Sequence, residues 1–266
     1  MTQYDVAVIG GGAAGLSAAL VLARARRKVL VVDAGTPRNA PAAHMHGYLS
    51  RDGLPPGELL AFGRNEVESY GGDIVAGTVT DLVPGGGAGF EVLLAGGQRI
   101  SALRLLVTTG LRDELPDIPG LRDRWARDVL HCPYCHGHEV RDRRLGVIEG
   151  AIKQLIVDDD KLRGVQMDDD CVVPRDALFV PPRFVPNNHL LIGLGCDTDA
   201  DGWITTDGTG RTTVPGVWAA GNVVDPRAQV ITAAGAGSAA AIALNADLVE
   251  HDVRDAVRDF TPARLP

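Results

Sequence analysis

The sequence predicts an α/β protein built on a parallel sheet, and three segments carry that prediction. Residues 4–9 (YDVAVI) form a short apolar run of the kind that suits a strand buried on both faces. A glycine-rich turn and a stretch of helical composition, residues 13–26, separate it from a second run, residues 28–33 (KVLVVD). Far along the chain, residues 213–222 read as a turn and a small-residue strand, and residues 233–249 as a helix rich in Ala and Gly.

The first turn carries chemistry. Gly10, Gly12 and Gly15 match G-x-G-x-x-G, and Asp33 ends the second strand 18 residues after Gly15. Gly10 permits the tight turn, Gly12 lets the backbone approach a pyrophosphate, and Gly15 lets helix and strand pack closely. The N–H groups of Ala13 and Ala14 open a helix whose dipole favours phosphate. An acid at the end of the second strand suits an unphosphorylated ribose, so FAD or NAD rather than NADP.

The loop over residues 37–53 is rich in Pro, Gly and His, and its His44 and His46 are candidates for contact with cofactor or substrate. A strand over residues 104–107 leads into Thr108, Thr109 and Gly110. Residues 131–139 (HCPYCHGHE) follow, with Cys132 and Cys135 in a C-x-x-C. Three chemistries suit this stretch: a redox-active disulfide, a haem c attachment site, and a zinc site made with His131, His136 and His138. Haem c needs export and a second axial ligand, and zinc lacks a second C-x-x-C pair. Residues 144–148 read as a strand, but residues 149–153 (EGAIK) keep one Gly and put Glu149 where a phosphate loop would stand. Residues 154–157 and 162–167 read as two strands of a hairpin joined by residues 158–161, and the Asp runs at 158–160 and 168–170 as solvated loop tips. Cys171 and Cys196 have no partner nearby in sequence and read as ordinary thiols. The tail from residue 259 reads as frayed.

Composition narrows the classes. The chain has 266 residues, 45% of them hydrophobic, enough for a buried core and against disorder or a disulfide-stapled miniprotein. No apolar run approaches the roughly 18 residues of a spanning helix, and no basic stretch precedes the first strand, so neither a membrane span nor a secretion signal is expected. A formal charge of −8, without a basic run, argues against nucleic acid. Four Cys without an export signal point to redox or metal chemistry in a cytoplasmic enzyme.

Taken in order, the fingerprint, the Thr-Gly element, the C-x-x-C, the strand with Pro215-Gly216-Val217-Trp218-Ala219-Ala220-Gly221 and Gln229 before the last helix resemble the low-molecular-weight thioredoxin reductase family. The resemblance covers about residues 4–250. It implies a two-dinucleotide-binding-fold flavoprotein with a split, Rossmann-like FAD-binding domain. FAD would be held by Gly10, Gly12, Ala13, Ala14, Gly15, Asp33 and Ala34, with Arg38, Asn39 and His46 from the loop that follows. Val79, beside Thr78, would meet the adenine through its backbone, and Thr109 and Gly110 would lie on the flavin. Gly221, Asn222, Gln229 and Val230 would complete the site, with the dipole of the last helix at the pyrimidine edge. The family has Gly-Asp at the end of the late strand; here Asn222 replaces the acid. Cys135 would be the flavin-proximal thiol and Cys132 the interchange thiol. His136 stands where thioredoxin reductases have an acid, a C-x-x-C-H form similar to the dithiol oxidases of the gliotoxin and holomycin type. Imidazole titrates near neutrality, so His136 suits the acid/base role, with His131 and His138 as second choices. No metal is expected.

The family carries an NADPH domain in mid-chain. From Gly120 to Pro181 there are 61 positions, whereas two βαβ units with their connections need about 100. The expected organisation is therefore an FAD domain over residues 1–115 and 181–258, a truncated NADPH insert over 116–180 that carries the C-x-x-C and a hairpin, and a tail over 259–266. The function expected is FAD-dependent thiol–disulfide exchange without bound NADPH, oxidising a small dithiol or a thioredoxin-like protein with oxygen or another acceptor. Two alternatives stand beside it: a disulfide reductase fed by a donor such as ferredoxin, and a non-catalytic FAD-binding sensor. The resemblance also implies a homodimer.

Overall fold

A computed structural model describes residues 3–85, 89–145 and 151–260. The chain begins with β1 (Gln3–Ile9), α1 (Ala13–Arg24), β2 (Val29–Asp33), α2 (Pro56–Ser69) and β3 (Asp73–Ala76). A hairpin, β4 (Val79–Pro84) and β5 (Phe90–Leu94), leads to the long β6 (Arg99–Val107). Next come β7 (Leu111–Glu114), α3 (Leu121–Arg124), β8 (Val129–Leu130) and α4 (Pro133–His136). The middle of the chain ends with β9 (Ile152–Asp158), β10 (Lys161–Met167), β11 (Val172–Pro174), β12 (Leu178–Phe179) and β13 (Arg183–Pro186). Last are α5 (His189–Gly193), β14 (Val217–Ala219), a 3-10 turn at Gly221–Val223 and α6 (Val230–Asp259).

These elements form two compact units. The first comprises Met1–Thr36, Leu60–Gly110 and Pro186–Pro266, the second Pro37–Leu59 and Leu111–Val185. In the first unit the sheet order is β3-β2-β1-β6-β5-β4, with β14 also on β6. β6 has one neighbour on one side and two on the other. β1 pairs with it in parallel along Ser101–Val107, while β5 pairs antiparallel with Arg99–Ala102 and β14 parallel with Leu105–Val107. Alternation along these strands fills two cores. Val6, Val8, Val31, Leu106 and Trp218 pack with α1 and α6. Ala7, Ile9, Val32, Leu105, Val107 and Val217 pack in the opposite cluster with Leu190 and Leu191 of α5. Burial on both faces is why the strands read as continuous apolar runs rather than alternating ones.

α6 is, among the described residues, the one helix long and apolar enough to cross a membrane by length and composition. The sequence reading finds no continuous apolar run of that length because Ser, Thr and Asn interrupt it. Its buried residues, including Ala233, Gly237, Ala240 and Leu244, repeat at helical spacing. A Cβ on Gly237 would stand 2.0 Å from the carbonyl oxygen of Ala14, so only glycine lets α6 come this close to α1.

The second unit has its own core of Leu121, Val129, Leu155, Leu162, Val165 and Leu178. β9, β10 and β11 make an antiparallel meander, and β8 pairs in parallel with β12. Asp159 and Asp160, both at positive φ, turn the chain between β9 and β10. Asp160 is more than the solvated loop tip expected: it accepts from Arg124 Nη1 at 2.6 Å and pairs with Arg127. Arg124 is buried and also forks onto both oxygens of Asp128, whose Oδ2 takes the Leu162 N–H as well at 2.9 Å. A buried guanidinium needs such partners, and the turn aspartate is within reach to serve. At the second Asp run, Lys153 binds Asp170 at 2.6 Å. Residues 37–59, read from sequence with the first domain, cluster instead with the second unit. Among the described residues of this unit there is no strand–helix–strand nucleotide fold. The strand expected over 144–148 falls largely outside the described residues, as do Glu149 and Gly150 and the tail beyond Phe260.

Candidate functional site

In the first unit the fingerprint turn is fastened by Thr108. Its N–H donates to the Ile9 carbonyl at 2.8 Å and its Oγ1 to that of Gly10 at 2.9 Å. Gly15 packs into this corner so closely that a Cβ there would lie 1.9 Å from the Gly10 carbonyl oxygen. Gly12 differs: a Cβ on it would meet nothing within 4 Å. No side chain caps the α1 N-terminus, which starts at Ala13 and Ala14, and its first turn holds no acid. A peptide plane bare toward open space, beside unpaired helix N–H groups, fits a dinucleotide pyrophosphate.

Asp33 stands against the same turn. Gly35 N–H donates to its Oδ1 at 3.1 Å and Arg64 Nη2 to its Oδ2 at 2.7 Å. Burial pushes this carboxyl up, but the hydrogen bond and charge of Arg64, with backbone N–H groups of Gly35 and Gly11, hold it below the usual range. Ala34 is exposed beside it, and Val79 lies buried at the start of β4. Thr109 and Gly110 are bound to Asn187, a residue the sequence reading missed. Thr109 Oγ1 donates to the Asn187 carbonyl at 2.6 Å, and Asn187 N–H to that of Gly110 at 3.0 Å.

At the other strand end, Gly221 approaches Ala14 so closely that a Cβ would stand 3.0 Å from its methyl. Asn222 donates from Nδ2 to the carbonyls of Asp225 at 2.9 Å and Ala228 at 3.0 Å, closing the loop that leads to α6. Gln229 is the N-cap of α6, with extended backbone and no capping bond from its side chain, and Val230 is the first helical residue.

The second unit carries the sulfur. Cys132 and Cys135 form a disulfide with Cα atoms 5.2 Å apart. Cys132 caps the short α4: Cys135 N–H donates to Cys132 Sγ at 3.1 Å, and Pro133 opens the turn. Tyr134 between them is 83% exposed. His136 follows, its Nδ1 buried with no hydrogen-bond partner among the described residues. Burial pushes its pKa below the usual value, with Glu139 opposing and His46 assisting. His131 is also lowered, first by burial and then by Arg38. Its ring sits edge-on to Phe184 at 5.0 Å, while Arg38 lies over the same ring at 4.9 Å and forks onto Asp113 at 2.7 and 2.9 Å. His46 contacts Asp52 at 3.3 Å through Nδ1 and Glu139 at 3.5 Å through Nε2. Arg38, Asn39 and His46, grouped with the nucleotide residues in the sequence reading, belong to this unit. Cys171 is exposed and Cys196 buried, its thiol at 3.4 Å from Thr212 Oγ1. Among the described residues no group of three or more His, Cys, Asp or Glu is arranged to hold a metal.

Together these features define a dinucleotide-fold protein that also bears a C-x-x-C disulfide. A model of the pyridine nucleotide-disulphide oxidoreductases matches residues 4–151 and 138–238, and the chain belongs to that family. The crystal structure of HlmI is similar, with 50% identity, a TM-score of 0.92 and 96% of each chain covered. An oxidoreductase from Agrobacterium tumefaciens is 33% identical with a TM-score of 0.85, covering 93% of this chain and 99% of that one. The thioredoxin reductase tcpT of Claviceps purpurea is 38% identical over 152 residues, 54% of this chain and 46% of its own. The chain thus spans about half the length or less of the first curated relatives it matches. Thioredoxin reductases of this family are flavoproteins.

Proposed function

We propose that this protein is an FAD-dependent dithiol oxidase that works without bound NADPH. The observation that carries the reading is the Cys132–Cys135 disulfide followed directly by His136, where burial disfavours the charged ring. FAD, when bound, would supply the two-electron acceptor that the reduced cysteine pair needs, with oxygen or another acceptor as the final oxidant. Gly10, Gly12, Gly15 and the open N-terminus of α1 would hold its pyrophosphate, and Asp33 its adenosine ribose.

The sulfur chemistry belongs to the chain's own residues. One substrate thiolate attacks Cys132 Sγ, forming a mixed disulfide and releasing Cys135 as thiolate. The second substrate thiolate attacks the sulfur bound to Cys132, so the product leaves as a disulfide and Cys132 leaves as thiolate. The Cys135 N–H on Cys132 Sγ stabilises that charge. Two protons leave the substrate, and the His136 imidazole accepts one at a time. Exposed Pro133 and Tyr134 leave the pair open to a small dithiol or to a thioredoxin-like protein. A homodimer is part of the reading, supported by the resemblance alone. The reverse direction, disulfide reduction fed by a non-nicotinamide donor, draws support from the thioredoxin reductases among the relatives.

Anaerobic titration of the FAD-loaded protein separates these. Dithiols should bleach the flavin's visible absorption and oxygen should restore it, while NADPH should leave it unchanged. Cys135→Ser should keep FAD and lose all thiol-driven bleaching. Rapid bleaching by NADPH, or bleaching that survives in Cys135→Ser, overturns the proposal.

A further inference from the structure

Within the first unit α2 is polar, and between residues 60 and 69 only Leu60, Gly63, Arg64 and Val67 turn away from full exposure. Their spacing is i, i+3, i+4, i+7, the inward stripe of a surface helix. Arg64 sits at the edge of this stripe, 34% exposed, and its guanidinium has an acidic partner: Nη2 donates to Asp33 Oδ2 at 2.7 Å. Among the described residues this is its only hydrogen bond, so most of its five donors stay free. Asp33 is confined from the other side as well. A Cβ on Gly11 would lie 2.6 Å from its Cγ, and Gly35 N–H holds Oδ1. The carboxylate is thus fixed by three groups with lone pairs left over.

A bare carboxylate here would sit close to the two negative charges of a dinucleotide pyrophosphate at the α1 N-terminus. We infer that Arg64 is a positioning residue of the nucleotide site, fixing Asp33 for the adenosine ribose and cancelling its charge beside the pyrophosphate. The inference rests on the FAD reading above. It assigns to α2 a part in the binding of a dinucleotide that the glycine fingerprint alone does not include. The same contact has a second consequence: Asp33 and Arg64 act as one unit, so the loss of either should remove most of what the pair contributes.

The test is FAD affinity, read by flavin fluorescence on reconstituted wild type, Arg64→Met, Arg64→Lys, Asp33→Asn and the double variant Arg64→Met/Asp33→Asn. Met keeps the aliphatic stem, so circular dichroism should show an unchanged fold. Arg64→Met should weaken FAD by about tenfold or more, the usual scale of a charge-assisted hydrogen bond. Lys should recover part of the loss, and the double variant should bind little worse than either single one. Because Arg64→Met leaves Asp33 repelling the pyrophosphate, added salt should narrow its deficit against wild type. A merely structural role would not give that salt response. Wild type that binds no FAD would sink the FAD reading and this inference with it. Wild type that binds FAD, with Arg64→Met binding equally well or tighter, overturns the role of Arg64 alone; so do additive losses in the double variant.

Discussion

Asn222 does something a carboxylate at the same position could not. Its Nδ2 donates to two carbonyls, those of Asp225 and Ala228, and so fixes the loop ahead of α6. Asn222→Asp would lose both bonds and set a negative charge against two carbonyl oxygens. A cost of about 1–3 kcal/mol follows, which for a chain of this size lowers Tm by several degrees in a thermal melt; an unchanged Tm would show that the loop does not depend on the amide. His136 gives a second prediction at this scale. Its folded pKa lies below the unfolded value because burial disfavours the charged ring, with Glu139 opposing in part. The unfolded state therefore binds more protons, and stability is full above the ordinary histidine range and falls as pH drops through it. His131 acts in the same direction. Urea melts at pH 7.5 and 5.5 should show the loss, and His136→Gln should reduce it; a slope unchanged by that substitution would assign the effect elsewhere.

The β1–α1 turn separates two uses of glycine. At Gly15 a methyl would collide with the Gly10 carbonyl, so Gly15→Ala should destabilise the fold by about 1–3 kcal/mol through overpacking. At Gly12 a methyl meets no protein atom, so Gly12→Ala should melt like wild type yet lose FAD. Melting curves and bound-flavin absorbance of the two purified variants check both halves, and a Gly12→Ala protein that keeps its flavin would mean the pyrophosphate lies elsewhere. Elements of this kind were legible because strand, glycines, helix and acid follow each other within about thirty residues. The partners of those elements were not. Arg64, Asn187 and Asp113 meet Asp33, Gly110 and Arg38 across 31, 77 and 75 positions. No local pattern encodes such pairings, although a lone Arg in the buried stripe of α2 was a readable sign that a partner existed. The turn at Asp159 and Asp160 was readable as a turn, but not as the anchor of Arg124, which needs α3 and the hairpin brought together.

For the molecule as a whole, the shortness of the middle segment was the most informative quantity, since 61 positions cannot house two βαβ units. What fills that length is the β9-β10-β11 meander with its own core, tied by Arg124, Asp128 and Asp160. The clustering of residues 37–59 with the second unit escaped the sequence reading, because a loop of Pro, Gly and His carries no periodicity that assigns it to a core. The double partnering of β6 also bears on how the chain reaches its fold. Its Leu105–Val107 end waits for β14, more than a hundred residues later, and α1 waits for Gly237 of α6. During synthesis the first half of the first unit must therefore stand with an open strand edge and an uncovered helix face until the last quarter of the chain arrives. Such long-range closure is slow and leaves the nascent chain exposed to aggregation, so chaperone supply and the pace of translation through the middle segment become determinants of yield.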